Sequence, residues 1–160
     1  MTTALTSRAT IPALPYISQV FKEALRLYPP AFEVGRRVTR PIALGGYQIP
    51  AGANILYSPY TLHRRPDYYP RPEEFDPARF TPEAESTRPR HAYLPFGTGP
   101  RNCIGMSFAL MEGQLILATL AQRVAFARAD DREVEPEPAI TLKPGKAMVM
   151  TVHRRPVAPI

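Results

Sequence analysis

Twenty of the 160 residues are proline, more than twice the ordinary usage of about 5%, and no other feature constrains the fold as much. A proline removes a backbone N–H and crowds the turn before it, so regular elements must fit between prolines and loops must be extensive. Leu14, Ile17, Phe21, Ala24, Leu25 and Tyr28 recur at helical spacing, which predicts a helix over 14–27, ended by Pro29-Pro30. From 106 to 123 the run containing FALMEGQLILATLAQ is apolar almost all round, the mark of a helix buried on most faces. Segments 36–39, 42–44 and 53–56 read as the short strands of a small meander, broken at Gly45-Gly46 and at Pro50-Ala51-Gly52. Segments 124–129 and 147–152 read as two more strands, joined by a charged loop that turns at Lys143-Pro144-Gly145, and 58–64 as a short helix. Between them, Pro66, Pro70, Pro72, Pro77, Pro82 and Pro89 interrupt any regular element. The expectation is an α+β chain, mainly helix, with small β-sheets and long proline-rich loops.

The single cysteine stands in Phe96-Gly-Thr-Gly-Pro-Arg-Asn-Cys103-Ile-Gly105. A cysteine ligates metal as the thiolate, so its surroundings must favour the charged form. Arg101 and the N-terminal end of a helix beginning near Met106 would both do so. Gly99 and Gly105 lack a Cβ, which lets backbone approach a flat group closely and frees φ for tight turns that aim amides at sulfur. Phe96 is placed to shield that sulfur from water. The bland alternative is a buried cysteine packing as a small hydrophobe. Against it stands the conjunction of Phe96, Gly99, Arg101, Cys103 and Gly105, whose chance co-occurrence is on the order of 10⁻⁵ at ordinary residue usage.

This loop resembles the haem-binding loop of the cytochrome P-450 family, F-x-x-G-x-R-x-C-x-G followed by a helix, with no departure at the five positions. Lys22-Glu23-Ala24-Leu25-Arg26 looks like the family's E-x-x-R helix, and Phe75-Asp76-Pro77-Ala78-Arg79-Phe80 looks like its second signature. The resemblance implies the C-terminal part of the cytochrome P-450 fold. A lead-in would occupy 1–13, the haem-binding portion 14–156 and a tail 157–160. It implies haem b with an axial thiolate from Cys103, and cofactor contacts from Phe96, Gly99, Arg101, Gly105 and Arg36, the two arginines as partners for haem propionates. Glu23, Arg26 and Arg79 would form a buried ion network, tolerable only with all three partners in place. Residues 31–34 are implied as pocket residues.

The activity implied is oxidation of a small, lipophilic organic substrate by O₂, with electrons from a ferredoxin, a flavodoxin-like protein or a reductase. The family's acid–alcohol pair for proton delivery belongs to an upstream helix. Thr39, Thr61 and Thr98 cannot be promoted to that role, so no catalytic residue is assigned. The competing expectation is a non-catalytic fragment or small interaction module that retains the ligand loop.

One cysteine excludes an internal disulfide, and no stretch approaches the ~20 apolar residues of a membrane span. The chain therefore reads as cytoplasmic. Its net charge of +6 invites acidic partners, but the basic residues are scattered, without the basic run or interleaved aromatics of a nucleic-acid binder. Arg90 and Arg101 flank the cysteine loop and would steer an acidic electron donor. His63, His91 and His153 have no second histidine or acid at a metal-ligand spacing and read as surface or loop residues.

Overall fold

The computed structural model describes residues 14–156, so the expected lead-in and tail lie outside the described residues. Helix α1 spans Pro15–Leu27, with proline in its first turn, where a missing N–H costs nothing. Tyr28 N–H closes the helix on Ala24 O at 2.8 Å just before the proline pair. Its buried residues are Glu23, Leu25, Arg26 and Leu27. Two of these carry charge.

The predicted meander is instead a nested pair of hairpins. Strand β1 (Val34–Arg37) pairs antiparallel with β4 (Asn54–Tyr57), and between them β2 (Ile42–Leu44) pairs with β3 (Tyr47–Ile49), an element absent from the sequence-based expectation. The reason is the turn. Leu44 faces Tyr47 across Gly45 and Gly46, whose φ values are +58° and +84°, the two-positive pattern that a tight hairpin requires and that glycine adopts without steric cost. A pair of glycines read as a break is thus the turn that pairs the strands on either side.

Helix α2 (Pro59–Leu62) starts on Ser58, whose Oγ accepts the Thr61 N–H at 3.2 Å. The proline-rich stretch is more regular than expected. It holds a 3₁₀ turn at Pro77–Phe80 and a six-residue helix α3 at Pro82–Thr87. Each has proline in its first turn and a side-chain cap before it, Asp76 Oδ1 taking the Ala78 N–H and Thr81 Oγ1 the Ala84 N–H. Prolines at these positions begin helices instead of breaking them.

Helix α4 (Met106–Arg123) has the expected bounds but not the expected burial. Only Gln114 and Ala118 are buried, while Phe108, Ile116 and Leu120 are exposed. Helix α1 packs on one face of α4, where Gly113 leaves room for Phe21: a Cβ there would lie 2.3 Å from the ring. An apolar circumference sets how many faces a helix can bury, and neighbours set how many it does.

Strand β5 (Val124–Arg128) follows directly and pairs with β8 (Met150–Arg154), so the last strand lies later than 147–152. The charged loop between them contains a further hairpin, β6 (Pro136–Pro138) with β7 (Leu142–Pro144). Among the described residues the buried apolar side chains include Leu25, Leu27, Val38, Tyr69, Phe80, Ala92 and Ala118. Around Tyr69 and Phe80 the chain buries Arg26, His63 and Glu23 completely. No helix among the described residues is long and apolar enough to cross a membrane.

Candidate functional site

The cysteine loop is held by its own backbone. Gly97 N–H donates to Leu94 O at 3.2 Å, Asn102 N–H to Gly99 O at 3.0 Å, and Cys103 N–H to Phe96 O at 2.9 Å. Gly97 and Gly99 have φ of +75° and +70°, values that L side chains rarely adopt. A Cβ on Gly99 would meet nothing within 4 Å, so its glycine serves conformation. Gly105 differs from expectation. It caps α4 at φ −81°, and a Cβ there would sit 3.8 Å from Cys103 Sγ, an ordinary contact, so the loop itself does not demand glycine at this position.

Cys103 is a free, exposed thiol three residues before the first residue of α4. No amide is aimed at its sulfur among the described residues, unlike the sequence-based expectation. Phe96 is half-buried, and Ile104 beside the cysteine is 99% exposed. Arg101 is exposed and has no hydrogen-bond or ion-pair partner among the described residues. Arg36, on β1, donates only to the neighbouring Gly35 O at 2.8 Å.

No group of three or more histidines, cysteines or acids is arranged for a metal ion among the described residues. A lone thiol cannot hold a bare ion in such a setting. It suits a metal whose other ligands come from a macrocycle, and Arg101, two residues earlier and exposed, remains available for a carboxylate. The residues present therefore fit a haem.

The second constellation lies at the buried end of α1. Arg26 uses all five of its N–H donors: Nε and Nη2 grip the Glu23 carboxylate at 2.7 and 2.8 Å, Nη2 also reaches Glu74 O at 3.0 Å, and Nη1 donates to His63 O at 2.9 Å and Pro72 O at 2.7 Å. Glu23 Oε1 further accepts the Asp76 N–H at 2.8 Å. Arg79 is brought to the pair but less closely. Its Nε stands 3.6 Å from Glu23 Oε1 without a hydrogen bond, while its Nη2 donates to Arg71 O at 2.9 Å.

His63 corrects the sequence reading. It lies in the turn after α2, as a loop residue, but is fully buried instead of on the surface. Leu94 N–H donates to Nε2 at 2.8 Å, so that nitrogen must present a lone pair. Nδ1 faces Arg26 O at 3.1 Å and therefore carries the proton. Burial lowers the imidazole pKa to about 4, opposed by the bond to Arg26 O and assisted by the charges of Arg26, Arg64 and Arg88. The lack of a metal-ligand partner, the ground for placing this histidine outside, carries no information about burial. His91 and His153 are exposed.

Two tyrosines that the sequence did not single out complete the cluster. Tyr69 OH donates to Ala92 O at 3.0 Å and Tyr93 OH to Lys22 O at 2.9 Å. Burial pushes the Tyr69 hydroxyl up to about 12 and the Tyr93 hydroxyl higher still. Arg88 stacks over Phe80 with 4.5 Å to the ring centre, donates to Arg79 O and lies 5.2 Å from the Tyr69 ring.

Of residues 31–34, Ala31 and Glu33 are exposed and Phe32 and Val34 half-buried. None of them lines the cleft of about 530 Å³ beside Tyr28, which is formed by Val134, Leu142, Met148 and their neighbours. Thr61 sits in α2 with its hydroxyl 3.3 Å from Ser58 Oγ, and Thr39 and Thr98 are exposed.

The sequence matches the family model described as cytochrome P-450 over residues 4–151. It is 43% identical over 137 residues to cyclooctatin synthase of Streptomyces melanosporofaciens, covering 86% of this chain and 30% of that protein. It is 41% identical over 144 residues to taurochenodeoxycholic 6 alpha-hydroxylase of Sus scrofa, covering 89% and 28% respectively. Among solved structures it resembles the cytochrome P450DA heme domain with a TM-score of 0.89 and 31% identity, over 97% of this chain and 34% of that one. The chain thus spans about a third or less of the length of the proteins it matches.

Proposed function

Because this chain belongs to the cytochrome P-450 family, we propose that it is the thiolate-side portion of a haem-thiolate monooxygenase. The observation that carries the reading is Cys103: a free, exposed thiol at the head of an 18-residue helix, in a loop closed by the Cys103 N–H to Phe96 O bond. In this reading Cys103 would hold haem b through its thiolate. When bound, the haem would supply the redox chemistry by which, with two electrons from a donor protein and two protons, one atom of O₂ enters an organic substrate and the other leaves as water. Phe96 would limit water at the sulfur, Gly99 leaves open space at the loop, and Arg101 and Arg36 would pair with carboxylates of the cofactor. Glu23, Arg26 and Arg79 hold the fold around the loop and take no part in the chemistry.

The partners in this reading are a lipophilic substrate, O₂ and an electron donor, either a ferredoxin, a flavodoxin-like protein or a reductase. An acidic donor would meet Arg90 and Arg101 beside the cysteine. A second reading, a non-catalytic module that keeps the loop, is favoured by one observation: Ile104 and Phe108 are 99% and 62% exposed. The reduced carbon monoxide difference spectrum of the haem-reconstituted chain separates the two. A thiolate-type Soret band that disappears in Cys103→Ser supports the first reading, and its absence in the unaltered chain selects the second.

A further inference from the structure

The chain that leads into the cysteine loop is anchored three times in three successive residues. Ala92 O accepts the Tyr69 hydroxyl, the Tyr93 hydroxyl donates to Lys22 O in α1, and the Leu94 N–H donates to His63 Nε2. The third anchor differs from the others because its side chain is held at both ends. The His63 ring spans from Arg26 O, at 3.1 Å, to Leu94 N, at 2.8 Å, and the His63 carbonyl takes a hydrogen bond from Arg26 Nη1 at 2.9 Å. Leu94 in turn offers its carbonyl to Gly97, and Phe96 offers its own to Cys103. Hydrogen bonds, linked through short stretches of covalent chain at Arg26, Leu94 and Phe96–Gly97, therefore join the Glu23–Arg26 pair to the backbone of the cysteine.

We propose that His63 is a positioning residue for the cysteine loop, a neutral strap that fixes where residues 94–96 leave the buried network and hence where Cys103 stands. Its bearing on catalysis rests on the reading of Cys103 as a haem ligand; the strap itself does not. An imidazole suits the place because it presents a donor and an acceptor on opposite edges of one rigid ring, and both facing groups are backbone. A charged ring cannot serve, since Nε2–H would then point at the Leu94 N–H. The guanidiniums around it oppose protonation, Arg26 from α1, Arg64 after α2 and Arg88 after α3, while the Glu23 carboxylate is engaged by Arg26. The Tyr93 ring, 5.2 Å away, and the Tyr69 ring, 6.5 Å away, enclose it on other sides.

The test is amide hydrogen exchange on the chain without added haem, comparing unaltered protein, His63→Leu and His63→Gln. Leucine fills similar space with neither polar edge, whereas the glutamine amide offers both a donor and an acceptor. Loss of one ordinary hydrogen bond should speed exchange of the Leu94 amide by about tenfold in His63→Leu. The Tyr28 amide at the end of α1 should keep its rate, and His63→Gln should restore Leu94. An unchanged Leu94 rate, or equal acceleration at Leu94 and Tyr28, overturns the proposal, the second outcome because it marks a general loss of stability. If His63→Leu does not fold, the pH profile decides. After correction for intrinsic exchange, Leu94 protection in the unaltered chain should fall as His63 gains a proton, and in His63→Gln it should not; matching profiles overturn the strap. Absence of the thiolate band in the haem-reconstituted chain would sink the haem reading while leaving these exchange results standing.

Discussion

Around Glu23 and Arg26 every hydrogen-bonding direction of the guanidinium is used inside the chain, whereas around Cys103 the thiol, Arg101 and Ile104 all face outward. The two regions are neighbours in sequence logic, each a short motif with few alternatives for its residues. Physically they are opposites. A buried charge is tolerated only when its own chain supplies partners at short distance, so the α1 network is complete or it is destabilising. An exposed thiol in a backbone-closed loop bears little of the folding free energy, which leaves it free to be selected for what it binds. The difference is the one expected if the first region supports the fold and, as proposed, the second binds the cofactor.

The sharpest way to break that comparison is Glu23→Gln. Arg26 would lose its bidentate carboxylate and Arg79 the charge 3.6 Å from its Nε, in a site where both Glu23 and Arg26 are fully buried. Breaking a buried pair by removing one partner costs about 3–5 kcal/mol, comparable with the whole stability of a small domain. Urea denaturation followed by far-ultraviolet circular dichroism should show a chain largely unfolded or with its midpoint strongly lowered. A loss below about 1 kcal/mol would mean that the network is no more structural than a surface pair.

A pH titration of stability sharpens the same contrast at one residue. The unfolded-state pKa of His63 is near 6.5, while the folded chain holds it at about 4. Between those values the unfolded chain binds the extra proton, so stability is fully present above about pH 6.5 and is lost as pH falls toward 4, with nothing further from this group below. The shift corresponds to about 3 kcal/mol. Carboxylates also titrate near the lower limit, but they do so equally in His63→Gln. The stability difference between the unaltered chain and that variant should therefore shrink or reverse between pH 7 and pH 4.5. A constant difference would show that His63 titrates normally and is not the buried strap.

How far the sequence revealed these regions depends on whether a feature is local. The E-x-x-R spacing puts Glu23 and Arg26 on one helical face by geometry alone, and the Phe96–Gly105 pattern marks a loop whose turn at Gly99 requires a positive φ. Both are local and both were legible. His63 was not, because its burial is produced by Arg26, 37 positions earlier, and Leu94, 31 positions later; nothing within a few residues of it reports those neighbours. Helix α4 failed in the other direction. Its composition predicts burial, yet only the face that meets α1 and the start of β5 is covered among the described residues. The β2–β3 hairpin was legible in principle, since two adjacent glycines between apolar residues are as much a turn as a break.

The smallest expected effect belongs to the residue that the sequence marks most strongly. Cys103 is exposed, its side chain makes no hydrogen bond among the described residues, and its backbone bonds to Phe96 O and from Met106 N–H do not depend on sulfur. Cys103→Ser changes only one exposed atom, so the urea midpoint should stay within about 0.5 kcal/mol of the unaltered chain, while thiol-specific labelling is lost. A larger destabilisation would put Cys103 in the packed scaffold and erase the division between the two regions. An unchanged midpoint keeps the thiol outside the folding balance, where replacement by serine tests ligation without disturbing the network that holds the loop.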